Sequence, residues 1–174
     1  RRKRWEYWCV TGPDLVVSAT YADVDYIGIA GLWILRPSDG LVIDVSQVVP
    51  LGRGFQLPDE PCTGTMSFRS KGCSVGIDER PDATHLTATA PDTPHGPVAV
   101  DLVVERPPAH ETMNVVIPWS DKRFQYTSKQ NTRSLSLSSV WMRCAVPGRK
   151  KSGDWVMKMT PSTVLLSQPI LSSS

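Results

Sequence analysis

The sequence lacks the residue patterns that identify common metal and redox sites. Its four cysteines are at least eleven positions apart, so it contains no CxxC pair. His110-Glu111 begins like a zinc-protease motif, but Asn114 stands where HExxH requires its second histidine. No Cys/His spacing matches a zinc site. The sequence patterns therefore identify no catalytic group, no metal site and no cofactor.

Long apolar runs and leader segments are also missing. No run approaches the roughly 18–20 apolar residues of a membrane-spanning helix, and no signal peptide is visible. The chain starts at Arg1 without methionine, so we expect that its natural N-terminus lies upstream. We expect a cytoplasmic protein with reduced thiols, in which Cys9 and Cys73 are small buried hydrophobes in strands.

The body of the chain has no surplus of positive charge. Residues 1–133 hold 14 Lys and Arg against 16 Asp and Glu, a formal −2, whereas residues 134–174 hold 5 against 1, a formal +4. The basic leader Arg1–Arg4 is therefore interpreted as a solvated lead into the first strand. A nucleic-acid partner is not expected.

The sequence is instead rich in β-patterning and turn residues. Apolar and polar residues alternate in short runs, 15 prolines and 12 glycines punctuate the chain, and no amphipathic helix is recognisable. This predicts an all-β antiparallel meander that forms a barrel or a sandwich. We expect a β domain over residues 1–133 and an irregular tail, rich in serine and basic residues, over residues 134–174. The roughly nine predicted strands cover residues 5–10, 15–21, 26–35, 41–45, 65–69, 73–78, 85–90, 98–105 and 112–117, and residues 123–128 are expected to be extended as well.

The aromatic side chains are the main candidates for a binding site. Most aromatics in a β domain pack its core, but in a barrel with a cavity the same residues would line an apolar pocket. The sequence leaves both alternatives open. The candidate ligand-binding residues are Trp5, Trp8, Tyr26, Trp33, Trp119, Phe124 and Tyr126, with Lys129 and Asn131 at the rim of the pocket.

A few further residues have both a functional and a structural interpretation. Asp23 and Asp25 could split their pKa values and perform acid–base work, but such a pair more often marks a turn. Gly28 and Gly31 are expected at bends or bulges of a long strand. Residues 52–54 resemble part of a phosphate loop without the lysine that should follow, and a flexible loop is the favoured interpretation.

Several blocks of the sequence resemble a known family. They are Lys3–Trp8, Ala22–Tyr26, Val49–Gly54, Leu57-Pro58, His110–Trp119 and Phe124–Asn131. In this order they are similar to the first half of the domain-of-unknown-function family 2804, whose members are mostly bacterial and uncharacterised. The resemblance implies an all-β, lipocalin-like (calycin) fold, and it supplies no catalytic residue.

The resemblance ends after Asn131. The family continues into a Trp- and Gly-rich block that this chain lacks, and residues 134–174 contain ten serines instead. We expect a truncated or frameshifted tail. Translation of the other two reading frames beyond codon 131 would recover the missing block if this is right.

Two classes of function follow from these observations. The first is a non-catalytic module that binds an apolar small molecule or lipid in a lipocalin-like β cavity. The alternative is a hydratase- or isomerase-type enzyme on an apolar substrate, with Asp23, Asp25 or Glu111 as its acid or base. A third alternative is an inactive fragment whose site lies partly in the missing half. The oligomeric state is left open.

Overall fold

The chain folds as two antiparallel β-sheets. The computed structural model describes residues 3–60, 63–106, 112–121, 123–132, 139–141, 156–158 and 163–173, and within these residues there is no helix. The strands are β1 (Lys3–Thr11), β2 (Val16–Asp23), β3 (Ile27–Arg36), β4 (Leu41–Pro50), β5 (Thr65–Arg69), β6 (Ser74–Glu79), β7 (Ala83–Ala90), β8 (Val98–Glu105), β9 (Thr112–Ser120), β10 (Arg123–Thr132), β11 (Ser139–Trp141), β12 (Val156–Lys158) and β13 (Thr163–Ser173). The all-β prediction is confirmed, and each predicted strand has a counterpart among β1 to β10.

The strand order makes the fold a sandwich. The larger sheet has the order β4-β3-β2-β1-β13-β10-β9, and the smaller one has the order β5-β6-β7-β8. Strands β11 and β12 form a short ribbon beside β8. The two main sheets face each other where β6 and β7 lie over β2 and β3. Within the part of the chain that the structure describes, no sheet closes into a barrel, so the sandwich alternative of the prediction holds.

The core follows from the two-residue period of the strands. In β1, for example, Glu6, Trp8 and Val10 are buried, while the intervening residues are partly exposed. The same alternation buries one face of β5 to β8. The core cluster consists of Trp8, Val10, Leu15, Val17, Ala19, Tyr21, Ala30, Leu32, Ile34, Ile43, Phe55, Met66, Phe68, Cys73, Val75, Ile77, Leu86, Ala88, Ala90, Val98, Val100, Leu102 and Val104.

Three aromatic rings contact one another within this core. The ring of Phe55 lies 4.9 Å from that of Tyr21 and 4.8 Å from that of Phe68, centroid to centroid. The hydroxyl of Tyr21 accepts a hydrogen bond from the amide of Gln56 (3.1 Å) and donates one to the carbonyl of Ser67 (3.3 Å). Burial raises the pKa of Tyr21. These contacts fasten the loop after β4 to both sheets.

The glycines of β3 have a different role from the predicted bends or bulges. The registers of β2 with β3 and of β3 with β4 run without interruption past Gly28 and Gly31. A Cβ atom at Gly28 would lie only 2.3 Å from the ring of Phe55. Gly28 is therefore required by the close approach of that ring. Residues 51–54 form the tight turn that precedes Phe55 and positions its ring, with positive φ angles at Leu51, Gly52 and Gly54.

The tail contributes one long strand to the larger sheet. β13 pairs with β1 on one side and with β10 on the other. The β1 ladder is interrupted opposite Trp5 and Glu6, where Pro169 has no N–H to donate. The strand contains three consecutive apolar residues and a proline, so the alternation rule does not detect it.

A buried ion pair closes one end of the smaller sheet. The side chain of Glu79 on β6 is fully buried, and its carboxylate accepts hydrogen bonds from the Thr84 hydroxyl (2.7 Å) and from Nη2 of Arg106. Arg106 also donates to the carbonyl of Arg80 through Nη1 (2.8 Å). Glu79 Oε1 and Arg106 Nε are buried without a hydrogen-bond partner. This pair links β6, β7 and the end of β8.

Candidate functional site

The predicted aromatic residues of the first three strands do not share one pocket. Trp8 points into the core, whereas Trp5 and Trp33 are half-buried at positions out of phase with the core residues of their strands. Trp5 and Trp33 therefore lie on the outward face of the larger sheet. Tyr26 lies in the β2–β3 turn with 64% of its surface exposed.

Trp8 is tied to a buried carboxylate. Its indole Nε1 donates a 2.8 Å hydrogen bond to Oε1 of Glu6, and both side chains are almost completely buried. A buried tryptophan needs such an acceptor, and hydrogen bonding lowers the cost of burying the carboxylate. The two-residue period of a strand places both residues on one face, but the sequence gives no sign of this contact.

Phe124 and Tyr126 belong to an apolar surface at the other end of the larger sheet. The registers place Tyr126 opposite Val116 and Phe124 opposite Pro118. Ile170 of β13 is the cross-strand partner of both Tyr126 and Arg4, so these two residues lie on the same side of the sheet. Trp8 is four positions after Arg4 and therefore lies on that side as well. Val116 is 60% exposed and Phe124 is 40% exposed. We call Val116, Pro118, Phe124 and Tyr126 the apolar wall.

A polar pair lies beside the apolar wall. The hydroxyl of Tyr126 donates a 2.8 Å hydrogen bond to Oδ1 of Asn114, the residue two positions before Val116. Asn114 itself is exposed. The wall thus has an apolar stretch and one end that can exchange hydrogen bonds.

The other candidate residues of this region are described by their backbone alone. The register of β9 with β10 shifts between Arg123 and Phe124, which leaves Trp119 as the extra residue of a β-bulge. Lys129 pairs with Met113 and Ser167, and Asn131 pairs with Leu165. The side chains of these three residues lie outside what the structure describes.

The predicted carboxylate pair closes a turn. Oδ1 of Asp23 accepts a hydrogen bond from the amide of Asp25 (3.2 Å), and Asp25 has a φ of 84°. Asp25 and its neighbours join β2 to β3. The turn interpretation of Asp23 and Asp25 is therefore the one observed. Glu111 and His110 lie outside the described residues.

The cysteines and histidines form no metal site within the described ranges, where no three His, Cys, Asp or Glu side chains are grouped to hold an ion. Cys73 is buried as predicted, although it lies in the β5–β6 turn, and burial raises the pKa of its thiol. The prediction that Cys9 is buried is wrong, because it lies on the partly exposed face of β1. Cys62 and Cys144 lie outside the described residues.

Sequence reasoning missed a groove on the outward face of the smaller sheet. Its volume is about 580 Å³, and strands β5, β6 and β7 form its floor. The cross-strand registers arrange its outward residues in three rows. We call it the hydroxyl groove, and its rows are Thr65–Asp78–His85, Ser67–Gly76–Thr87 and Arg69–Ser74–Thr89.

Several side chains of the hydroxyl groove are hydrogen-bonded to one another. Asp78 accepts from the Thr65 hydroxyl (2.7 Å) and from Nε of Arg80 (2.9 Å), and these bonds lower the pKa of its carboxyl group. Ser74 and Thr89 share a 2.6 Å hydrogen bond. The alternation of polar residues in the three strands is visible in the sequence, but their neighbourhood depends on the registers.

Residues 72–76 of this region fit the GxSxG pattern of hydrolase nucleophiles, although no such elbow was expected from the sequence. In the structure Ser74 begins a strand after a hairpin turn, whereas a nucleophile elbow leads into a helix. Its hydroxyl is bonded to Thr89, and His85 is four residues along the ladder, roughly 13 Å away by strand spacing. The pattern therefore carries no nucleophile here.

The described residues contain no helix long and apolar enough to cross a membrane. A family profile described as domain of unknown function (DUF2804) matches residues 1–139 of the chain. This range contains the sequence blocks on which the resemblance rests. Comparison with curated proteins and with solved structures finds no match.

Proposed function

The chain belongs to the DUF2804 family, and from its geometry we propose that it is a non-catalytic module that binds an apolar or lipid-like ligand. The ligand lies against the apolar wall. As in a lipocalin, the surface that binds it is one face of a β-sheet. Phe124 and Tyr126, two of the residues selected from the sequence, contact it.

The observation that carries this proposal is the exposure of the apolar wall. Side chains on the core side of a sheet are normally covered, yet Val116 and Phe124 are 60% and 40% exposed. Grouped apolar exposure of this kind marks surfaces that bind ligands or partners. A bound acyl chain would remove this surface from water.

The packed part of the sandwich favours the same location. Between β2 and β3 on one side and β6 and β7 on the other, the space is occupied by buried side chains of the core cluster, among them Leu32, Ile77 and Leu86. A ligand would have to displace these side chains to bind there. The Tyr126–Asn114 hydrogen bond offers a polar partner for the head group of a ligand at the wall.

A fluorescence titration with cis-parinaric acid tests the proposal. Val116→Ser should weaken binding roughly fivefold, because burial of the exposed part of a valine contributes about 1 kcal/mol. Val48→Ser is the matched control: Val48 is 59% exposed on β4, the opposite edge strand of the same sheet, and faces the other side.

The two variants separate specific from general binding. The proposal requires Val48→Ser to bind the probe like the unmodified chain. Equal weakening by both variants would show non-specific adsorption, and an unchanged affinity of Val116→Ser would exclude the apolar wall as the site.

A further inference from the structure

The hydroxyl groove supports an inference that is independent of the apolar wall. We propose that it is a binding site for a neutral polyhydroxylated ligand, such as a sugar or an oligosaccharide. The proposal rests on the volume of the groove, the arrangement of its hydroxyl groups and the balance of its charges.

The shape of the groove depends on Gly76, which occupies the centre of the three rows. A Cβ atom at this position would lie 2.5 Å from the hydroxyl oxygen of Thr87. Because glycine has no side chain, the Thr87 side chain can lie over β6, and the outward surface of the sheet has a depression at Gly76. The resulting volume of about 580 Å³ lies within the roughly 300–1,000 Å³ typical of small-molecule sites.

Two hydroxyl groups flank this low point. Ser67 and Thr87 lie in the same row on either side of Gly76, on strands about 9–10 Å apart by sheet spacing. Within the described residues neither side-chain hydroxyl forms a hydrogen bond, in contrast to the Ser74–Thr89 pair. The guanidinium of Arg69, in the adjacent row, also has no hydrogen-bond partner among these residues.

The charges of the groove balance. Arg69 and Arg80 supply two positive charges, and Asp78 and Asp101 supply two negative ones. Asp101 borders the groove through its 2.7 Å contact with Nε2 of His85. A balanced set with alternating donors and acceptors fits sugar hydroxyls, each of which can donate and accept. A polyanion would meet two carboxylates.

The composition of the lining distinguishes this face from an ordinary solvated one. Six of its fourteen lining residues carry hydroxyl groups, and none of the fourteen is lysine or glutamate, the long charged residues usual on exposed sheet surfaces. Short hydroxyl side chains on paired strands lose little conformational entropy when they bind a ligand. The groove is therefore preorganised for hydrogen bonding.

Amide chemical shifts of the ¹⁵N-labelled full chain test the proposal in titrations with glucose, mannose, maltotetraose and cellotetraose. We expect saturable shifts confined to residues 65–69, 74–78 and 85–89 with at least one of them. Thr87→Val and Ser67→Ala should each weaken that binding roughly three- to tenfold, the range for loss of one neutral hydrogen bond.

The controls separate a structural effect from a binding effect. Thr20→Val makes the same substitution as Thr87→Val on the outward face of the larger sheet and should bind like the unmodified chain. The dispersed amide spectrum reports whether each variant is folded, and Ser67 is exposed, so its replacement tests the site even if Thr87→Val unfolds. The proposal is overturned if no saccharide gives saturable shifts, if the shifts map outside the groove, or if inorganic phosphate alone reproduces them.

Discussion

Replacement of Gly28 by alanine should destabilise the protein, although the same change usually stabilises a strand. The new methyl group would lie 2.3 Å from Cδ2 of Phe55. That ring is almost buried and contacts the rings of both Tyr21 and Phe68, so its movement away from the new methyl group would disturb the core packing. Gly31 provides a matched control in the same strand, since its Cβ atom would make only ordinary contacts, with the carbonyl oxygen of Val45 at 3.5 Å and Cβ of Ser46 at 3.6 Å.

The expected magnitudes have opposite signs at the two positions. Overpacking of a dense core costs about 1–3 kcal/mol, whereas Gly→Ala gains about 0.4–1 kcal/mol by restricting the unfolded chain. Gly28→Ala should therefore lose about 1–2 kcal/mol of unfolding free energy. Gly31→Ala should gain up to about 1 kcal/mol, because only the second effect operates there.

Urea unfolding followed by tryptophan fluorescence measures both variants. The denaturant slope should stay unchanged, so the midpoint alone should move. In the double variant Gly28→Ala/Phe55→Ala, the alanine at position 28 should cost nothing, since the ring that it strikes is gone. The proposed contact would be refuted if Gly28→Ala were at least as stable as the unmodified chain. It would also be refuted if both alanine variants lost the same unfolding free energy.

Two further predictions concern charged groups. Arg106→Met should cost about 3–5 kcal/mol of unfolding free energy, because it leaves the buried Glu79 carboxylate without its cation. Addition of Glu79→Met should restore part of that loss. A urea midpoint that falls further in the double variant would contradict this. The hydrogen bond from Arg36 lowers the pKa of Asp39 below its usual 3.8, so the stabilisation by this pair is complete above pH 3.8 and is lost as the pH falls through the folded-state pKa. A carboxyl NMR titration should show a midpoint below 3.8 that rises in Arg36→Gln, and a midpoint unaffected by that change would disprove the assignment.

The strands could be predicted because the information is local. The alternation in residues 98–105 and 65–69 gives the strand limits that the structure has. The Asp39-Gly40 turn is also local: Gly40 has a φ of 68°, which glycine adopts without strain. β13 escaped prediction because its apolar residues are consecutive and its pairing partners, β1 and β10, are distant in sequence.

The candidate site could be predicted only in part. The block from Phe124 to Asn131 was identified, and the structure places Phe124 and Tyr126 on the apolar wall opposite Pro118 and Val116. Trp5, Trp8 and Trp33 were grouped with them by residue type alone. The structure separates Trp5 and Trp33 from them because side-chain direction alternates along a strand, and it separates Trp8 because that side chain, although on the same side of the sheet, is buried in the core. A shared residue type therefore does not imply a shared pocket.

The sequence by itself determined the family, the fold class and, in strands such as β5 and β8, the face that is buried. The fold class and the buried faces follow from residue order within a few positions, through the two-residue period of the strand and the conformational limits of glycine and proline. Only the tertiary structure decided that Phe55 requires Gly28, that Glu79 meets Arg106 and that Ser67, Gly76 and Thr87 form one row. Each of these contacts joins residues that are far apart in the chain, and its geometry depends on the registers and on the packing of the two sheets.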